Sequence, residues 1–358
     1  MSANGSEAAP LLAVEDLVVR YPVPRGLVGT ISRRPREVVH AVDGVSFTLS
    51  PGEMLAVVGE SGCGKTTTAQ ALMRMVDPVS GSIRVQGEEL VRLSGRSLRP
   101  YRRRMQMIYQ DPYESLDPRF RVRATVEEPL LVHGLAGSKD ERRERVLEAL
   151  TRAGLTPPEL YVDRYPHELS GGQRQRVAIA AALVLGPELL VADEPVSMLD
   201  VSVRAGVLSL LDHLRREGLA ILMITHDLST AAHFADRIAV MYLGRIVEEG
   251  EAREVVTNPQ HPYTRALLSV VPKPDPRDST RPQILRGETP DPIHVPPWCR
   301  FEPRCPISIE TCRTVDPELR RPAGARTPQH RAACIRSDQV DLATLEPATA
   351  RSARQSIG

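Results

Sequence analysis

From residue 11 to 21, apolar and polar positions alternate, the pattern of a strand with one buried face. Three later stretches are short and apolar throughout: Leu55 to Val58, Leu189 to Ala192 and Ala220 to Thr225. Runs of this length without alternation predict strands buried on both faces, as in a parallel sheet flanked by helices. Good helix formers from Ala69 to Met73 and an apolar stretch from Val177 to Leu185 predict helices. Between about Pro112 and Leu169 this strand–helix rhythm breaks. There Ser138-Lys139-Asp140-Glu141 is a capping box that opens a helix running to Ala153. The segment reads as a helical subdomain inserted into an α/β core. Beyond Pro272 the chain is rich in proline, which argues against regular helices. The stretch from Arg336 to Gly358 is polar and small and reads as disordered. No internal repeat is visible.

The apolar runs end in chemistry. After Leu55 to Val58 come Gly59-Glu60-Ser61-Gly62-Cys63-Gly64-Lys65-Thr66-Thr67. This is a phosphate-binding P-loop in a strand–turn–helix setting. Gly59, Gly62 and Gly64 let backbone N–H groups turn inward, Lys65 reaches the β- and γ-phosphates, and Thr66 can ligate magnesium. The helix N-terminus adds a favourable dipole. The run Leu169-Ser170-Gly171-Gly172-Gln173 offers a second helix start with an N-cap serine and open N–H groups. Leu189 to Ala192 delivers Asp193 and Glu194 to a strand end, where parallel sheets place ligands. Asp193 suits a magnesium shell, and Glu194 suits a general base for water. Ala220 to Thr225 ends at His226.

Together and in this order, these motifs resemble the ATP-binding subunits of ABC transporters, over about residues 11 to 271. The resemblance implies ATP and Mg2+ as ligands. It implies Walker A at Gly59 to Thr67, the Q-loop glutamine at Gln110, the signature motif at Ser170 to Gln173, and Walker B ending at Asp193. It further implies a catalytic Glu194, a D-loop from Ser197 to Asp200, a switch His226, and Tyr21 stacking on adenine. In that scheme Gln110 completes the magnesium shell, and Ser170, Gly171, Gly172 and Gln173 close over the nucleotide of a facing subunit. Tyr109 to Arg119 and Asn258 to Leu268 look like the Q-loop and C-terminal hallmark of the oligopeptide and dipeptide importers, a subfamily that includes nickel importers. The insertion from Pro22 to Val39 is typical of the same subfamily. Val196, Met198 and Ala181 depart from the usual Thr, Ala and Arg, and the first two bear on dimer geometry.

The implied fold is a P-loop ATPase core at 11–257, with an antiparallel β subdomain and a helical subdomain at about 112–169. A Cys/Pro-rich region at 258–335 and a disordered tail at 336–358 follow. The implied function is ATP hydrolysis coupled to peptide uptake, at the cytoplasmic face of the cell membrane. The implied partners are two permease subunits, a second ATPase subunit (the same chain or a different one) and an extracytoplasmic substrate-binding protein. The alternatives are nickel or sugar uptake by the same motor, or a soluble ABC ATPase outside transport. Against the latter, the chain has neither a second cassette nor a long coiled coil.

Composition narrows this little. The 358 residues carry a net charge of +1, so no strong field favours nucleic acid or anionic lipid. The longest apolar run, Val177 to Ala192, is broken by Gly186-Pro187-Glu188, so no membrane span is expected. No secretory signal is expected either.

Four of the five cysteines, Cys299, Cys305, Cys312 and Cys334, fall in the proline-rich region. In a cytosolic protein such clustering favours a metal over disulfides. The spacing lacks the paired Cys-x-x-Cys of common zinc sites and is compatible with a four-thiolate iron–sulfur cluster. The subfamily resemblance points to 4Fe–4S; zinc, or four reduced structural thiols, are the alternatives. His330 reads as structural. No nucleotide motif lies in this region and none depends on it, so a cluster there is expected to be structural, ordering the tail against its own ATPase domain or a neighbouring subunit.

Overall fold

The structure is a computed structural model that describes residues 9–23, 37–111, 115–135, 137–271, 285, 287 and 290–337. Most of the 22–39 insertion, the prolines from 272 to 282 and the tail beyond 337 lie outside these residues. The chain divides into two compact units, each assembled from separated stretches. One takes residues from 1–17, 46–56 and 68–225, and the other from 18–45, 57–67 and 226–358.

In chain order the elements that build the first unit, in whole or in part, begin with β1 (Leu12–Pro22), β2 (Val38–Leu49), β3 (Met54–Val58) and α1 (Lys65–Leu72). Next come β4 (Ser80–Val85), β5 (Glu88–Glu89), α2 (Arg99–Arg104) and β6 (Met105–Ile108). Three helices follow: α3 (Val122–His133), α4 (Lys139–Arg152) and α5 (Gly171–Leu183). β7 (Leu189–Asp193), α6 (Val201–Arg216) and β8 (Ala220–Thr225) complete it. Strands β6, β7 and β8 lie side by side and parallel, with Met105 opposite Leu189 and Leu189 opposite Ala220. Every residue of β7 and β8 is buried, which is why neither run alternates. On the other side of β8, the Ile221 N–H donates to the Glu53 carbonyl at 2.9 Å, just before β3. Strands β4 and β5 pair antiparallel across Gln86-Gly87, whose φ values of 51° and 84° make the tight hairpin turn.

Helices α3, α4 and α5 pack on one another. The α4 limits follow from its cap. Ser138 Oγ accepts the Glu141 N–H, and the Glu141 carboxylate accepts the Ser138 N–H, both at 3.1 Å. Its buried stripe is Val146, Ala149 and Leu150. The Arg176 guanidinium of α5 donates to the Ala153 carbonyl at 2.8 Å and the Gly206 carbonyl at 3.2 Å, tying the end of α4 to α6.

The second unit contains α7 (Leu228–Phe234), β9 (Arg237–Tyr242), β10 (Arg245–Glu251), α8 (Ala252–Thr257), α9 (Pro262–Ser269) and β11 (Arg331–Ala332). Strands β9 and β10 form a hairpin through Leu243-Gly244, again with both φ values positive, and β11 pairs antiparallel with β10. Among the described residues from 290 to 337, β11 is joined only by short 3-10 turns at Glu302–Arg304 and Glu310–Arg313. This agrees with the proline content. The region has its own aromatic core: Tyr242, Tyr263, Phe301 and His261, with ring centroids 4.7–5.5 Å apart.

Candidate functional site

The P-loop sits in the second unit. Its backbone turns at Gly62 and Gly64, with φ of 78° and 107°. Gly59 and Gly64 are needed for a second reason: a Cβ would strike the Met241 carbonyl at Gly59 and the Ala41 carbonyl at Gly64. The Cys63 carbonyl accepts the Gly244 N–H at 2.8 Å, which seats the loop on the β9–β10 turn. Cys63 is buried and its thiol is pushed up by that burial, consistent with a position that acts through its backbone. Lys65 opens α1 and is folded into the loop, its Nζ donating to the Gly59 and Glu60 carbonyls, each at 2.9 Å. Ser61 and Thr66 are exposed, and Thr67 and the strand residue Tyr21 are half-buried. His226 is exposed, directly after β8. The next residue, Asp227, caps α7. Burial works against its charge, but hydrogen bonds from Ser229 and Thr230 hold its carboxyl below the ordinary range.

The first unit carries the acids. Asp193 is buried at the end of β7. Glu194 follows with φ of 46°, a left-handed conformation that costs energy for any residue but glycine. Its backbone is held on both sides: its N–H donates to the Ile224 carbonyl at 2.9 Å, and its carbonyl accepts the Ser197 hydroxyl at 3.1 Å. Gln110, exposed beyond β6, donates through Nε2 to the Glu194 carboxylate at 3.1 Å. Two sequence-predicted residues, 84 apart, thus meet.

Ser170 and Gln173 cap α5 reciprocally, at 3.3 Å and 3.0 Å, so this helix begins at Gly171, earlier than its apolar run. Gly171 is half-buried and Gly172 is buried. A Cβ on Gly172 would meet the Val203 methyl, so this glycine also lets α5 approach α6. Asp200 is the exposed N-cap of α6, and Arg204 braces the loop before it by donating to the Leu199 carbonyl at 2.7 Å. In that loop Val196 is buried, while Met198 is exposed.

The four C-terminal cysteines line one cavity in the second unit, with His261 and Phe301 also on its wall. Burial, reinforced by the neighbouring cysteines, pushes the thiol of Cys299 to about 11, that of Cys305 to about 12 and that of Cys334 to about 11. Among the described residues, no three His, Cys, Asp or Glu side chains are drawn together as ligands of one ion. His330 is fully buried between Glu248 and Glu254, 2.7 Å and 3.3 Å away, as a structural residue would be.

The region docks on the P-loop itself, a contact that no motif in the sequence marks. Arg304, next to Cys305, makes a two-pronged ion pair with Glu60 of the P-loop at 2.7 Å and 3.0 Å. The Glu60 N–H donates to the Tyr263 hydroxyl at 2.9 Å. Arg300, next to Cys299, donates to the Leu243 carbonyl and pairs with Asp43, gripping the turn on which the loop rests. Glu60, Arg300 and Arg304 were not visible as site residues in the sequence. Tyr263 lay within the C-terminal hallmark, which was its one signal.

Comparison with known proteins agrees with these motifs. The family model of the ABC transporter matches residues 42–197, and that of the oligopeptide/dipeptide transporter C-terminal region matches 247–312. The chain is 44% identical over 331 residues to the dipeptide transport ATP-binding protein of Escherichia coli, covering 92% of this chain and 95% of that one. It is 46% identical over 331 residues to a di/tripeptide transport ATP-binding protein of Pseudomonas aeruginosa, covering 92% and 98%. Among solved structures, a dimeric ATP-binding cassette in a post-hydrolysis state with ADP and Pi is similar. It has a TM-score of 0.59 and 30% identity, over 68% of this chain and 99% of that one.

Proposed function

Since the chain belongs to the ABC transporter ATP-binding subunits with an oligopeptide/dipeptide-type C-terminal region, we propose that it hydrolyses ATP to drive peptide import. The observation that carries this is the presence in one chain of a folded P-loop, with Lys65 already turned into it, and that C-terminal region.

In this reading Lys65 and the amides of Gly59 to Thr67 hold the phosphates of ATP, and Tyr21 stacks on adenine. Thr66, Asp193 and Gln110 hold Mg2+. Glu194 orients and deprotonates the attacking water, and His226 steadies the γ-phosphate. The bond from Gln110 supports its place beside the base. Ser170 to Gln173 and Asp200 serve the nucleotide of a second ATPase subunit. The exposed apolar side chains Met198 and Val201, beside Asp200, suit a partner surface. Two permease subunits and an extracytoplasmic binding protein complete the importer. No helix among the described residues is long and apolar enough to cross a membrane, so attachment to the cytoplasmic face would come through those permeases.

The four cysteines would hold a 4Fe–4S cluster. Supporting this, they share one cavity. Such a cluster would add folding energy to a region whose described residues from 290 to 337 hold little regular secondary structure.

The test is co-purification from the source cell followed by reconstitution. A complex with permeases whose ATPase is stimulated by peptide and its binding protein is expected. Stimulation by nickel or sugar alone would replace the substrate, and turnover with no permease bound would replace the transport reading. Anaerobic purification should yield about four irons and four sulfides per chain; stoichiometric zinc would overturn the cluster.

A further inference from the structure

We infer that Arg304 and Tyr263 are positioning residues of the P-loop, through which the cysteine-bearing region sets the affinity of this subunit for ATP. The inference rests on the reading of Gly59 to Thr67 as the ATP site. Four hydrogen bonds with three side chains converge on Glu60. Its side chain takes both prongs of Arg304, its N–H donates to Tyr263, and its carbonyl accepts Lys65 Nζ. One of the two carbonyls that hold the phosphate-binding lysine thus belongs to a residue gripped, at its N–H and its carboxylate, by two side chains more than 200 residues away in sequence.

Electrostatics gives Arg304 a second role. A carboxylate in a phosphate loop repels the anion the loop must bind. The Arg304 side chain is 8% exposed and the Glu60 side chain 26%, so the pair is poorly screened. Neutralised by a two-pronged partner, Glu60 keeps its shaping bonds without an uncompensated charge. Arg304 in turn lies 5.9 Å over the Tyr242 ring and closes the 3-10 turn that leads into Cys305. The Tyr263 ring packs on Tyr242 and Phe301, in the aromatic core beside the cysteine cavity. Order in the cysteine region is thereby order in the P-loop.

The test titrates a fluorescent ATP analogue with Mg2+ into the full-length chain and measures turnover in the permease complex. Arg304→Gln should weaken nucleotide binding about tenfold, with kcat at saturating ATP changed less than about twofold. The defect should shrink as salt rises, because bare Glu60 repels phosphate. Adding Glu60→Gln to Arg304→Gln should recover most of the affinity, and Arg304→Lys should recover part. A purely structural arginine would show neither the charge rescue nor the salt dependence. Tyr263→Phe, which removes one hydroxyl from an intact core, should weaken binding about threefold. Unchanged affinity in Tyr263→Phe and folded Arg304→Gln overturns the inference, as does a double variant no better than Arg304→Gln alone. If Arg304→Gln fails to fold, Arg304→Lys and Tyr263→Phe decide the matter. Wild-type affinity in Lys65→Ala would instead overturn the ATP-site reading, and this inference with it.

Discussion

Glu194 shows how a single residue carries both legible and illegible information. Its role follows from its place after a buried strand and beside Asp193, both readable from sequence. Its left-handed backbone is not, because it is held by hydrogen bonds of the fold, among them those to the Ile224 carbonyl and from the Ser197 hydroxyl and N–H. The strain fixes the direction of the carboxylate, which Gln110 then engages. Glu194→Gln keeps the shape and the Gln110 contact but cannot accept a proton. Turnover of the reconstituted complex should fall at least about a hundredfold while nucleotide affinity holds. Measured hydrolysis within a few fold of wild type would remove Glu194 from the role of base. The same contrast appears at Glu60. In the sequence it is one position between the glycines of the loop, yet its partner lies 244 residues away, beyond any local pattern.

At the scale of elements, local rules located most of the fold. The fully apolar runs became β7 and β8, and the capping box at Ser138 opened α4, which ends beside Ala153 as expected. The N-cap expected at Ser170 starts α5 at Gly171, although Gly171-Gly172 argues against helix on propensity. The capping box of Ser170 and Gln173 and the approach of α6 outweigh that preference. The latter suggests a direct check. Gly172→Ala should help α5 by propensity, but its Cβ would press on the Val203 methyl. We expect a net loss of about 1–2 kcal/mol in urea unfolding, reversed by Val203→Ala in the same chain. A stabilised Gly172→Ala would mean that this glycine serves the nucleotide alone. Ser170→Ala, which removes the cap, should cost about 1 kcal/mol, mainly in α5. Amide exchange confined to its first turn would report it.

On the scale of the whole chain, the cysteine cluster and the proline content were legible, but what anchors that region was not. Its clasp is His330, which no spacing rule distinguishes from any other histidine. Glu248 is fully buried and accepts the Gln260 N–H at 2.6 Å, the His261 N–H at 2.9 Å and a ring N–H of His330. Glu254 takes the other ring nitrogen, the Asn258 amide and the Arg326 N–H. Burial opposes a charge on His330, but the two carboxylates outweigh it and raise its pKa above 6.5. Burial likewise opposes the Glu254 charge, and its hydrogen bonds overcome that, holding it below 4.5. His330, being raised, contributes stability that is complete below 6.5 and is lost as pH climbs through its folded value. Glu254, being lowered, contributes above 4.5 and loses that contribution as pH falls through its folded value. The clasp is therefore tightest between 4.5 and 6.5 and loosens on the alkaline side. Thermal unfolding from about pH 6 to about pH 9 should show a falling midpoint in the wild type. His330→Gln should lose about 3 kcal/mol at the acidic end, because Glu248 is left buried without its cation. Its profile over the same range should be much flatter. Equal slopes for the two chains would show that another group governs the pH response, and that His330 sits between its carboxylates uncharged.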